Sequence, residues 1–90
     1  MFEKIKLIIN DWDPIKLFPF VPSDEYYSEI NQIIDFLETK NSDVSTEELA
    51  QKIIDIFIDM FDESMFTKSF EECELIARKI FGIENDFAIK

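Results

Sequence analysis

Carboxylates are the main chemical resource of this chain, with 20 Asp and Glu against 9 Lys and Arg, no histidine and one cysteine. Without histidine, the commonest general base near neutral pH and the commonest transition-metal ligand are both gone. Cys73 falls on an apolar helical face with no histidine to activate it, so it reads as a core residue. Asp11 and Asp13 resemble the first two ligands of a calcium loop, but the glycine and terminal glutamate of such a loop are missing. With Gly82 as the only glycine, no phosphate-cradling loop can form. A carboxylate pair could still move protons, yet no spacing marks one out. The sequence predicts no catalytic residue, no metal ligand and no cofactor, and a protein that is not an enzyme.

The net charge of −11 removes two partner classes. Nucleic acid needs a basic footprint, and an anionic membrane surface repels an acidic chain. A cationic protein is attracted and steered in quickly. Plain solubility is the competing explanation of the acidity. The apolar fraction of 47% is that of a folded globule, and 90 residues make one domain, residues 1–90. No apolar run has membrane-spanning length, and the first residues mix charges into their apolar positions, unlike a signal peptide. A lone cysteine excludes an intrachain disulfide and fits a reducing, cytoplasmic setting.

Two groups of residues are candidates for binding a protein. Asp55, Asp59, Asp62 and Glu63, with Glu48, share the face of one helix opposite its apolar arc, and Lys52 is the only relief. Like charges four apart cost a helix a few tenths of a kcal/mol per pair. The stripe is either a solvated face or a docking site for a basic partner. The second group is Tyr26, Tyr27 and Glu29, flanked by Asp24 and Glu25, at the end of a stretch holding all three prolines and the only tryptophan. Tyrosines supply amphipathic contact at low entropic cost. In the same stretch Trp12, Phe18 and Phe20 read as a lid over the core.

Four helices must position these groups. In the first, Phe2, Ile5, Ile8, Ile9 and Trp12 share a face, and Asp13-Pro14 ends it. Residues 15–22 form a proline and aromatic loop. The second helix is expected from Ser23 to about Lys40, with Tyr26, Tyr27, Ile30, Ile33, Ile34 and Leu37 as its stripe and Phe36 turned away. The third opens on a capping box, Ser45 to Glu48, with Val44 and Leu49 as its staple, and runs to about Asp62. Its arc is wide: Leu49, Ala50, Ile53, Ile56, Phe57 and Met60 face one way, and Ile54, Ile58 and Phe61 form a second ridge. The fourth opens on a similar box, Ser69 to Glu72, and buries Phe70, Cys73, Ile76, Ala77, Ile80 and Phe81. Glu74 and Arg78 pair along it, Gly82 ends it, and Phe87 and Ile89 pack back from the tail. The predicted fold is all-α, a compact four-helix bundle or irregular helical array with a proline and aromatic loop between the first two helices.

The run Trp12-Asp13-Pro14-Ile15, then Leu17-Phe18-Pro19, Pro22, Asp24-Glu25-Tyr26 and Glu29-Ile30, resembles the hallmark of the YugE-like family. These are small bacterial all-helical proteins of about this length without an assigned biochemical activity. The likeness extends through Glu47-Glu48-Leu49-Ala50 and Glu71-Glu72-Cys73, which are generic helix. Lys16 stands where the family usually has glycine, and Tyr27 where it often has aspartate. Both departures fall in the recognition loop. Proteins of this look are similar to bacterial toxin immunity proteins, small acidic cytosolic binders encoded beside a toxin. The resemblance implies a non-enzymatic module that neutralises a basic toxin domain by direct binding. The alternative is a housekeeping helical protein that pairs with itself through Ile54, Ile58 and Phe61. A small-ligand site in the proline loop is the third reading.

Overall fold

Apolar residues recur at helical spacing in four segments, and each segment folds as a helix: α1 (Phe2–Trp12), α2 (Tyr27–Thr39), α3 (Thr46–Phe61) and α4 (Phe70–Ile89). The computed structural model describes residues 2–16, 25–40 and 43–89, with side chains as far as Gly82. No strand occurs among the described residues, so the expected all-α class holds. The helices pack as a ring: α1 touches α2 and α4, α3 touches the same two, and the α3–α4 contact is the largest. Each sends one stripe inward, Ile5 and Ile9 from α1, Ile30, Ile33 and Leu37 from α2, Leu49, Ile53 and Phe57 from α3, and Cys73, Ile76 and Ile80 from α4. The radius of gyration, 12.6 Å, is close to the roughly 12 Å expected of one packed domain of this length.

The start of α3 follows its sequence signal. Ser45 Oγ accepts the Glu48 N–H at 3.0 Å, and Glu48 Oε1 accepts the Ser45 N–H at 2.9 Å. That backbone donor holds the Glu48 pKa below its ordinary value. The end of α3 is less regular. Asp62 sits at φ 78°, ψ 150°, a region used almost only by glycine. Its N–H still reaches Ile58 O at 2.8 Å, while its carbonyl accepts the N–H groups of Met65 and Phe66 at 3.1 and 3.2 Å. After the bend, Phe66 lies in the core at 4% exposure.

Five expectations are corrected. First, α2 begins at Tyr27, with Tyr26 at its cap position and no side-chain cap; Ser23 and Asp24 lie outside the described residues. Tyr26 is held elsewhere by its hydroxyl, as shown below. Second, the box at Ser69 is half formed. Ser69 Oγ accepts the Glu72 N–H at 3.1 Å, but the Glu72 carboxylate turns to Trp12. Third, Met60 and Phe70, placed in the core by periodicity, are 45% and 37% exposed, each in the terminal turn of its helix. Fourth, Phe36 does not stand clear of the bundle. It is half-buried against the core, with Lys52 Nζ 5.5 Å above its ring. Fifth, Gly82 does not end α4, which continues to Ile89 with no glycine at positive φ. Glycine permits a left-handed cap but does not impose one, and a helix that continues past it loses only about 1 kcal/mol. Phe87 and Ile89 have no described side chains.

The helical state of Gly82 is testable. A β-carbon built there meets nothing within 4 Å. Gly82→Ala should raise stability by about 0.5–1 kcal/mol in denaturant or thermal melting. A loss of that size would mean that α4 breaks at this residue.

Candidate functional site

The stretch between α1 and α2 is organised by one phenol. Asp13 ends α1 with its N–H on Ile9 O at 2.8 Å and with φ 46°, in the left-handed region that aspartate tolerates. Its carbonyl accepts the Lys16 N–H at 3.0 Å and closes a turn over Pro14, whose fixed φ suits the second turn position. Tyr26, fully buried, then locks the turn. Its hydroxyl donates to Asp13 Oδ1 at 2.7 Å and accepts the Ile15 N–H at 3.2 Å. The ring meets Phe57 and Phe61 edge-on, at 5.8 and 6.2 Å.

Trp12 stands beside this knot. Its ring lies edge-on to Phe57 and to Phe66, each at 5.9 Å, and Phe66 stacks on Phe57 at 5.2 Å. Its indole N–H donates to Glu72 Oε2 at 2.7 Å, and Lys68 Nζ balances that carboxylate at 3.7 Å. Trp12 therefore covers the core as expected of a lid. Phe18 and Phe20 lie outside the described residues.

This geometry removes two residues from the expected recognition patch. Tyr26 is 0% and Glu29 is 1% exposed, so neither presents its side chain to a partner. The spacing of Tyr26 from Ile30 and Ile33 already placed it on the inner stripe, and its hydroxyl found partners there. Glu29 shares that inner side, and its Oε1 has no hydrogen-bond partner. Burial raises its pKa above the ordinary carboxylate value; its own backbone N–H offsets part of this, and the Glu25 charge adds to it. Tyr27, read both on the inner stripe of α2 and in the patch, lies off the stripe at the surface, 40% exposed, with Phe2 edge-on at 5.0 Å and Lys6 Nζ 5.0 Å above its ring.

The α3 acids keep the surface position read from their spacing. Asp55, Asp59, Asp62 and Glu63 are all exposed. Asp55 Oδ1 accepts from Gln51 Nε2 at 3.0 Å, and Asp62 Oδ2 accepts the Ser64 hydroxyl at 2.8 Å, which holds the Asp62 pKa low. Two methionines near them in sequence are also exposed: Met60 at 45%, which spacing places in the core, and Met65 at 52%, which sequence reasoning missed. The second ridge, Ile54, Ile58 and Phe61, is half-buried against the bundle's own core, and Phe61 stacks on Phe57 at 6.0 Å. It is a flank of the interior more than a free dimer face.

The remaining concavities are shallow. One, of about 360 Å³ between α2 and α3, is lined by Gln32, Asp35, Phe36, Thr39 and Lys52. Among the described residues no three acidic or thiol side chains gather as a metal site, and no helix is long and apolar enough to cross a membrane. Cys73 is fully buried, and burial pushes its thiol pKa up to about 12. A thiol so rarely ionised is a poor nucleophile.

Two variants probe this region. Tyr26→Phe deletes the donor to Asp13 and strands the Ile15 N–H, so it should cost about 2 kcal/mol and lower Tm by about 10 °C. A melting curve unchanged by that substitution would show that the knot holds nothing. Glu29→Gln tests the buried charge through pH. A carboxyl whose folded pKa is raised favours folding below its unfolded pKa and loses that contribution as pH rises through the folded value. The stability of the Gln variant relative to the native chain should be greatest near pH 7 and shrink as pH falls toward 4.5. A pH-independent difference would place Glu29 in water.

Among curated proteins and solved structures, none matches this chain. A family model does, over residues 4–88, so the match takes in the knot at Asp13 and Tyr26, the Trp12–Glu72 bond and the acidic end of α3. The chain belongs to the family described as Domain of unknown function (DUF1871).

Proposed function

We propose that this chain is a non-enzymatic protein-binding module that engages a cationic protein through the C-terminal end of α3. The observation that carries the reading is two apolar side chains in an acidic run of the chain: Met60 and Met65, both about half exposed, interleaved in sequence with the exposed Asp59, Asp62 and Glu63. Binding surfaces combine an apolar centre with a polar rim, and methionine adapts its shape to a partner. The net charge of −11 speeds encounter with a basic domain and slows encounter with an acidic one. The resemblance of the Trp12-Asp13-Pro14-Ile15 segment to YugE-like proteins, and the likeness in size and charge to toxin immunity proteins, make a basic toxin domain the concrete partner. Neutralisation then consists of covering the toxin's active surface. Cys73, as a buried thiol, goes with a reducing cytoplasmic setting. A housekeeping helical protein is the second reading.

The test is association and dissociation kinetics against a basic toxin domain, at two salt concentrations. Asp55→Asn, Asp59→Asn and Asp62→Asn together should slow association about tenfold at low salt and flatten its salt dependence. Met60→Ala with Met65→Ala should act mainly on dissociation. Rates that stay unchanged in variants of normal melting behaviour return the stripe to a solvated face.

A further inference from the structure

Leu7 and Leu75 are the two most exposed large apolar side chains among the described residues, at 69% and 57%. Each stands opposite its helix's core stripe: Leu7 is two residues from both Ile5 and Ile9, and Leu75 two from both Cys73 and Ala77. α1 and α4 pack together, and they run antiparallel, because Trp12 at the end of α1 binds Glu72 in the first turn of α4. A groove lined by Leu7, Ile8, Asp11 and Lys79 joins their outer faces. The two leucines therefore lie on one continuous surface.

The charge on that surface selects its occupant. Among the described residues its exposed charges are Glu3, Lys4, Asp11, Glu71, Arg78 and Lys79, three acids and three bases, so the face is balanced in a chain of net charge −11. The exposed charged residues of α2 and α3, Asp35, Glu38, Glu47, Glu48, Asp55 and Asp59, are all acidic. Two copies meeting through α2 or α3 would set acid against acid, at a cost in repulsion. The α1/α4 face alone lets one copy approach another without that cost. A cationic protein gains nothing on it. Asp11 and Lys79 share the groove without forming an ion pair within the chain among the described residues. In a two-fold pairing the same patch serves both copies, so an acid and a base on one patch complement themselves.

We propose that the α1/α4 face, centred on Leu7, Leu75 and the Asp11–Lys79 groove, is where this chain pairs with a second copy of itself about a two-fold axis. The leucines form the apolar contact, and Asp11 faces Lys79 of the partner subunit. The pairing uses none of the α3 acids, so it stands or falls apart from the toxin-binding reading. A patch this small makes a weak, reversible dimer.

Sedimentation velocity of the full chain between about 5 and 500 µM tests this, over the range where small interfaces associate. The native chain should pass from monomer towards dimer mass as concentration rises. Leu7→Glu with Leu75→Glu should stay monomeric throughout and melt normally, since both side chains are exposed in the monomer. Asp11→Lys alone and Lys79→Asp alone should each weaken pairing about tenfold, and the two together should restore it. A native chain monomeric at every concentration overturns the proposal and leaves the face to a different protein or to solvent. A dimer indifferent to the leucines, or a charge exchange that fails to restore pairing, overturns it equally.

Discussion

The Tyr26 hydroxyl is the constraint on which the rest of this bundle depends. It satisfies the Asp13 carboxylate and the Ile15 N–H in one place. Left buried without partners, groups of this kind each cost about 1–3 kcal/mol. The phenol also decides where α2 starts. A residue whose side chain is pinned to the preceding turn becomes the junction between turn and helix, so Tyr26 caps α2 with its backbone while its ring packs on Phe57 and Phe61. The entry angle of α2, and with it the line of Ile30, Ile33 and Leu37, follows from that junction.

A second polar contact does the same for α4. The Glu72 carboxylate leaves its expected capping role and accepts the Trp12 indole N–H at 2.7 Å. A charge-assisted bond of this length is roughly twice as strong as a neutral one, which accounts for the choice. Between these two contacts lie Trp12, Tyr26, Phe57, Phe61 and Phe66, a cluster to which α1, the junction, α3 and the α3–α4 connection each contribute. The left-handed turn at Asp62 delivers Phe66 to that cluster. Local strain at Asp62 is thus offset by an aromatic ring in the core.

The surface divides along the same ring of helices. Of the bases within the helices, Lys4, Lys6, Arg78 and Lys79 lie on α1 and α4 beside exposed leucines, and only Lys52 lies on α2 or α3. At this net charge copies of the chain repel one another, and the repulsion restricts where one can touch another. The two proposed contacts therefore do not compete for residues: one attracts a cationic protein to the end of α3, and the other tolerates a second acidic chain on α1 and α4.

Much of this architecture was legible in the residues. Periodicity of 3.6 places Ile5, Ile9, Ile30, Ile33, Leu49, Ile53, Cys73 and Ile76 in the core, and all are there, because apolar spacing is a local property that packing seldom overrides. The Ser45–Glu48 box and the Glu74–Arg78 pair, 3.9 Å apart, also hold, since their partners lie within one turn of the chain. The acidic stripe of α3 is a reading of the same kind. What spacing could not supply was the fate of polar groups whose partners are distant in sequence. Tyr26 is 13 residues from Asp13, and Glu72 is 60 from Trp12. Both bonds exist only once the helices have docked, and they decided that Tyr26 is a knot instead of a contact and that Glu72 is a clasp instead of a cap. Glu29 was likewise read as surface because carboxylates usually are, and it went inside because its helix had to bury that side.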